Sequence, residues 1–468
     1  MVKSRRVVQA SVLAVLSVLV AGLVWNGSTG VAYAAKKGYH VTRGPVFNSA
    51  VGPNSAKFAI NNHIKAAIRH SPRGSTIRIM SWNIHSSAMT DLLLRAQRRG
   101  VRVRVLMDAT NWSKEVPNRN FKRLKAGLAK GNKGRKPSRR SAAKVCHGSC
   151  RGKSGSAHSK FFLFSWSGKS PRVVMEGSAN ITLAAATNQW NDLFTWVNNR
   201  KLYNFAVTVF AQMWRDKRVA NPWTYTSSPP FTLAFSPEQG KRYSGDPMMN
   251  ALNRTKCKGA KNGNASHHTV VRLFPDVMRG KRGLAMAKRV KALWNRGCDV
   301  RVGYTVLSYQ AHAVLTSGGK RGRVPLRHMA KDTNGDGQFD KYFHIKALAI
   351  NGVIGSNRSA FRLVQGSANA SGLSAISDEN IGIITKTRAV RRYIQHLTYW
   401  FNHSGRVGRP VVGTAGRTTL GDDATIARLR TPQGTRAAAS DGYIAPGTKV
   451  IDPKTGKVVD PYALIDMD

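Results

Sequence analysis

The apolar positions along this chain change period repeatedly, and the changes occur in the same order twice. Phe58, Ile60, Ile64, Ala67 and Ile68 fall on one side of a helix, which Pro72-Arg73-Gly74 ends. Thr76–Trp82 alternates, with Ile77 and Ile79 set against Arg78, as a half-buried strand does. Met89–Arg99 returns to the helical period and stops at Gly100. Val101–Met107 alternates again, with Val101, Val103 and Val105 opposite Arg102 and Arg104. Lys122–Lys144, rich in Lys, Arg, Gly and Ser, reads as a long surface loop. Strands follow at His158–Phe164, Val173–Met175 and Asp192–Val197, then a helix at Leu202–Arg215.

The second pass places a helix at Leu284–Trp294, closed by Gly297, and a strand at Val300–Val306. Strands at Tyr342–Ile350, Arg362–Val364 and Ile381–Thr385 and a helix at Val390–Phe401 complete it. Such alternation predicts an α/β protein, and its repetition predicts two similar α-β-α sandwich halves with pseudo-two-fold symmetry. The halves are expected at 45–220 and 246–403, joined by a Pro- and Ser-rich linker at 221–245. A tail occupies 404–468, with one small hairpin expected across Lys449–Val459.

The first 34 residues change the picture of where the protein works. Lys3, Arg5 and Arg6 precede a mostly apolar run from Val7 to Val24, and Ala32-Tyr33-Ala34 offers small residues at a cleavage site. That is the pattern of a signal peptide, so a secreted, extracellular protein is expected. The Gly27-Ser28-Thr29-Gly30 breaker argues against a retained anchor. Four cysteines in an exported chain should be paired. Spacing favours Cys146–Cys150 and Cys257–Cys298; zinc held at Cys146-His147-x-x-Cys150 is the alternative, though no second ligand pair follows nearby.

The net charge of +53, from 75 Lys and Arg against 22 Asp and Glu, points to anionic partners: a phospholipid or membrane surface, nucleic acid, or wall polymer. Nothing in the sequence calls for more than a monomer.

Candidate chemistry is duplicated like the elements. His158-Ser159-Lys160 precedes Gly177-Ser178-Ala179-Asn180, and His344-Ile345-Lys346 precedes Gly366-Ser367-Ala368-Asn369. The Gly follows the His by 19 residues in the first copy and 22 in the second. Cleaving a phosphodiester needs a nucleophile, an acid for the leaving oxygen, and fixed donors for the phosphoryl oxygens. Two His, Lys160 and Lys346, and the side chains of Ser178, Asn180, Ser367 and Asn369 can supply these without a cofactor. His63, His70, His85, His147, His267 and His268 have no comparable context.

These motifs resemble the phospholipase D superfamily, whose signature is His-x-Lys-x4-Asp followed by Gly-Ser-x-Asn. The resemblance spans about residues 45–403 and is specific only in the two motif stretches. It implies one site shared by both motifs, with His158 forming a phosphohistidine and His344 acting as acid and then base. It also implies an acidic residue after each Gly-Ser-x-Asn turn to orient a His, which places Asp192 and Glu379 in the site. Ser165 and Asn351 stand where the motif Asp would fall. The leading expectation is a secreted phospholipase D-type hydrolase of phospholipid head groups. A nuclease of the same superfamily and a non-catalytic binder of anionic polymer are the alternatives. Separately, Asp332, Asn334, Asp336 and Asp340 space oxygens like a calcium loop, although Phe343 stands where such a loop has its Glu, so a structural calcium is weighed against an Asx-rich turn.

Overall fold

A computed structural model describes residues 38–112, 117–237, 245–331 and 340–403, with the backbone of three two-residue strands beyond them. The expected signal peptide at 1–34, most of the candidate calcium loop (332–339) and most of the 404–468 tail lie outside the described residues. The tail strands Val450–Ile451 and Val458–Val459 pair antiparallel, in the register of the expected hairpin.

Each half is built on one mixed sheet. In the first, strands run in the order Gly44–Phe47, Asp192–Val197, Ser170–Gly177, Phe161–Ser167, Thr76–Met80, Arg102–Asp108, Ala142–Cys146. The second repeats this as Phe231–Phe235, Asn380–Ile384, Asn357–Gly366, Lys346–Ile354, Val270–Phe274, Asp299–Tyr304, Leu326–His328. Directions match strand for strand. Thr76–Met80 is parallel to Arg102–Asp108 and antiparallel to Phe161–Ser167. Val270–Phe274 is parallel to Asp299–Tyr304 and antiparallel to Lys346–Ile354. The 221–245 stretch does more than join the halves. Its strands Thr224–Ser228 and Phe231–Phe235 form a hairpin that extends the second sheet through Asn380–Ile384.

Helices cover both faces of each sheet. Ala59–Arg69 and Ser87–Arg98 bury their apolar stripes against the outer face of the first sheet. Arg119–Lys130 joins them, which corrects the loop expected over Lys122–Lys144. Phe121, Leu124 and Leu128 fall at helical spacing and are buried, while the intervening Lys and Arg stay in water. Gly280–Asn295 and Tyr309–Thr316 cover the second sheet in the same way. The inner layer carries Arg200–Arg215 and Thr387–Asn402. Phe161, Phe210, Phe235 and Trp190 there join Phe343, Tyr393 and Trp400 in one apolar core drawn from both halves. The described residues from 38 to 403 accordingly fall in one compact unit. Among the described residues no helix is long and apolar enough to cross a membrane.

Both disulfides have the expected pairing, Cys146–Cys150 and Cys257–Cys298. Cys146, Cys150 and Asp216 lie close enough together to suggest a metal cluster, but the two sulfurs are bonded to each other, so zinc has no thiolates there. Paired cysteines suit an oxidising compartment.

Candidate active site

The site forms where the two sheets meet, at the end of each marked by the motif. Strand pairing begins at Phe161 in the first copy and Lys346 in the second, so His158 and His344 sit just ahead of their strands. Both Lys side chains turn back on their own motif: Lys160 Nζ donates to the His158 carbonyl at 2.7 Å, and Lys346 Nζ to the His344 carbonyl at 2.9 Å. All four residues are buried. Lys346 also pairs with Asp276 at 2.8 Å. Burial lowers the Lys346 pKa, while Asp276 above all holds it up. Asp276 was invisible to motif reasoning because it lies just past a strand in the second half and belongs to neither motif.

Each His is braced by the opposite half. His158 Nδ1 lies 2.8 and 3.0 Å from the two carboxylate oxygens of Glu379. His344 Nδ1 lies 2.7 Å from Asn191 Oδ1. The amide of Asn191 is oriented by its other bonds, because its Nδ2 donates to the Ala185 carbonyl and to Gln189 Oε1. Its oxygen therefore faces the ring, and His344 carries a proton on Nδ1.

This corrects the expected role of Asp192. Asp192 accepts from the Tyr393 hydroxyl at 2.7 Å, and its neighbour Asn191 meets the ring. The reason lies in the Ser that follows each Gly. Ser367 Oγ donates to Glu379 and accepts from the Asn380 backbone N–H. Ser178 Oγ donates to Asn191 and accepts from the Asp192 backbone N–H. The Ser thus selects the residue just before the strand interior as ring partner, and in the first copy that residue is an amide. Successive residues on extended chain point to opposite sides, so Asp192 cannot share that direction.

The same contacts revise the expectation that Ser178 and Ser367 hold phosphate. A hydroxyl has one proton, and each Ser gives it to a ring partner. Asn180 and Asn369 are placed differently. Asn180 Oδ1 accepts from Asn83 N–H at 3.3 Å, while its buried Nδ2 has no acceptor among the described residues. Asn369 Oδ1 accepts from Val277 N–H at 3.4 Å. Ser165 accepts from the Thr76 N–H at 2.8 Å, and Asn351 lies opposite Val270 in the sheet, so the two motif-Asp positions are strand residues away from the His.

Burial dominates the site's electrostatics. It pushes the Glu379 carboxyl up to about 7, against the pull of Lys160 and of the Ser367 and Ser374 hydroxyls. Glu176 sits under the turn, receiving the side-chain amides of Gln365 and Asn380, and burial pushes it up to about 8. Asp378 accepts from Ser149 Oγ and the Cys150 N–H, linking the chain beside Glu379 to the Cys146–Cys150 loop. Trp82 stands edge-on to the His158 ring at 6.1 Å, with Lys160 Nζ 6.0 Å from its own ring. One Trp at a strand end carries no sequence signal for that position.

Residues 64–214 match the family model described as cardiolipin synthase, PLD-like domain. No curated protein sequence matches the chain significantly. Among solved structures, phosphatidylserine synthase from Haemophilus influenzae aligns with a TM-score of 0.50 at 12% identity, over 76% of this chain and 86% of that one. Polyphosphate kinase from Porphyromonas gingivalis aligns at 0.48 and 13% identity, over 76% of this chain; the alignment covers about half, 49%, of the kinase. Nuc from Salmonella typhimurium, a phospholipase D family member, aligns at 0.27 and 17% identity, over 37% of this chain and 99% of its own. The fold is phospholipase D-like. Both halves carry this fold and one motif each, and residues 64–214 match a PLD-like domain.

Proposed function

We propose that the protein is an exported hydrolase of phosphodiester bonds that works through a phosphohistidine on His158. The observation that carries this reading is the reciprocal bracing of two buried His residues, each by a residue of the other half. His158 Nε2 attacks phosphorus, and the bond to the leaving oxygen breaks as His344 gives that oxygen a proton. His344 then takes a proton from water, whose oxygen bonds to phosphorus as the N–P bond breaks. A phosphate monoester leaves and both His residues return to their starting state.

The unequal bracing supports this order. Attack puts positive charge on the nucleophilic ring, which the Glu379 carboxylate stabilises. The acid must release its proton, and an amide partner holds an imidazolium less tightly than a carboxylate would. Lys160, Lys346, Asn180 and Asn369 are the groups we assign to the phosphoryl oxygens, as point charges and amide donors.

On substrate, the charge of +53 favours a nucleic acid strand, since Lys and Arg contacts to phosphates give sequence-independent affinity. A phospholipid head group is the second reading, favoured by the family model over 64–214. A parallel assay of the protein on plasmid DNA and on phosphatidylcholine vesicles tests both. The reaction itself is tested by rapid quench with a labelled activated diester. His344→Ala should accumulate label on His158, because an activated leaving group needs little protonation while hydrolysis of the phosphohistidine by water lacks its base. Label on His344 in His158→Ala would reverse the roles.

A further inference from the structure

At the opposite end of the strand Asp192–Val197 from the site lies a groove of about 840 Å³. From Asn191 to Val197 the chain advances ~20 Å at the usual rise of a strand, so the groove is separate from the catalytic His residues. It lies between the halves. Both inner helices begin at it: Arg200–Arg215 after the first sheet and Thr387–Asn402 after the second.

Among the described residues six cations line it: Arg43, Arg200, Lys201, Lys386, Arg388 and Arg392. All six are exposed, and no Asp or Glu lies among the described residues of the lining. This is the reverse of what helix ends ordinarily carry. The N-terminus of a helix bears about half a positive charge, and acidic residues in the first turn offset it. Here the first turns carry Arg200 and Lys201, and Arg388, with no acid in either. The second helix also starts without a side-chain cap. Like charges are thus concentrated at two positive helix ends, an arrangement that costs stability until an anion enters.

The shape and rim select the class of anion. A concave groove between two helix ends suits a chain more than a flat bilayer. Membrane-surface elements add exposed apolar side chains to their cations. The exposed large apolar residues of the described chain, among them Trp166, Leu183, Tyr225 and Tyr309, all lie outside the lining. We infer that this groove binds the phosphate backbone of a single-stranded nucleic acid, as a second site at the far end of the pseudo-two-fold arrangement from the catalytic His residues. The inference deepens the nucleic-acid reading of the function and does not depend on the phosphohistidine mechanism.

The test is fluorescence-anisotropy titration of a labelled oligothymidylate with the full chain carrying His158→Asn, over a series of salt concentrations. The triple variant R200A/R388A/R392A should reduce the slope of log affinity against log salt by about 2, at about 0.7 per phosphate contact for single strands. Affinity should fall at least tenfold at low salt. R98A/K122A/K130A removes three exposed cations from the outer helices and should leave the slope nearly unchanged. Equal losses in the two triples would show binding by diffuse charge and overturn the proposal. So would intact oligonucleotide binding combined with lost binding to phosphatidylglycerol vesicles, which would assign the groove to lipid. In the background with His158 restored, the groove triple should hydrolyse bis(p-nitrophenyl) phosphate at the normal rate. If that small diester is never cleaved while the groove result holds, the catalytic reading fails alone.

Discussion

Glu379→Gln isolates the contribution of one charge to the proposed nucleophile. The amide keeps the size of the side chain and can still accept from His158 Nδ1, whose two contacts to Glu379 are 2.8 and 3.0 Å. What disappears is the negative charge facing a ring that becomes positive as phosphorus is attacked. Hydrogen bonds to a charged group contribute about 1.5–3 kcal/mol, against about 1 for a neutral pair. The difference, roughly 1–2 kcal/mol, corresponds to a fall in kcat of about 5- to 30-fold. Its pH signature is more specific than its size. Burial raises Glu379 to about 7, so the carboxyl is ionised above that pH and neutral below it. Wild-type kcat should therefore fall as pH drops through about 7. In the Gln variant this limb should vanish, leaving a lower rate. The assay is hydrolysis of bis(p-nitrophenyl) phosphate from pH 5 to 9, where a good leaving group keeps protonation from limiting the rate. An unchanged acid limb in Glu379→Gln, with the fold intact by circular dichroism, would refute the assignment of Glu379 as the charged partner of His158.

Further outcomes are expected. Asn191→Asp should give His344 a carboxylate partner and a more tightly held proton, slowing cleavage of an alkyl diester about tenfold while sparing the p-nitrophenyl diester; equal effects on both substrates would remove His344 as the acid. Glu176 is raised by burial to about 8, above its unfolded value, so it stabilises the fold below about pH 4.5 and loses that contribution as pH rises through 8. Urea unfolding of Glu176→Gln should accordingly show a flatter pH dependence between 5 and 9, by roughly 4 kcal/mol, and a parallel profile would contradict the raised carboxyl. Cys257–Cys298 spans 41 residues and Cys146–Cys150 spans 4. Replacing both members by Ser should cost about 4 kcal/mol for the first pair and about 2 for the second, measured by denaturant unfolding; the opposite ranking would show that the short loop has a structural role beyond chain entropy. EDTA should leave turnover intact, because the proposed steps use only imidazole, ammonium and amide groups; loss of activity with an undiminished melting temperature would reject that scheme.

The parts legible in the sequence were those written as periodicity. The alternations over Thr76–Trp82 and Val101–Met107 became the parallel neighbours Thr76–Met80 and Arg102–Asp108, and Asp192–Val197 has the bounds its pattern predicted. The helix at Arg119–Lys130 was concealed because its three buried residues are outnumbered by Lys, Arg and Gly, so average polarity hid a correctly spaced stripe. In the site, residue type misled where spacing did not. Asp192 is the acid after the first turn, and family analogy chose it, but the Ser178 hydroxyl fixes Asn191 against the ring. Glu379, chosen by the same reasoning, does meet His158. Only the positions relative to Ser178 and Ser367 separate the two cases, and the side-chain hydrogen-bond networks that reveal this cross from one half to the other.

That crossing makes the site a conjunction. Glu379 and Asn191 each serve a ring that belongs to the other sheet, and both rings are buried. A chain folded only as far as residue 220 would hold His158 with no acid behind it, and an isolated second half would hold His344 with no amide. Neither half contains a lesser version of the other's chemistry. On the mechanism we propose, the complete site arises only when the second sheet docks on the first. A severed molecule therefore lacks one ring partner in each part. Docking of the halves is thus what brings each ring to its partner.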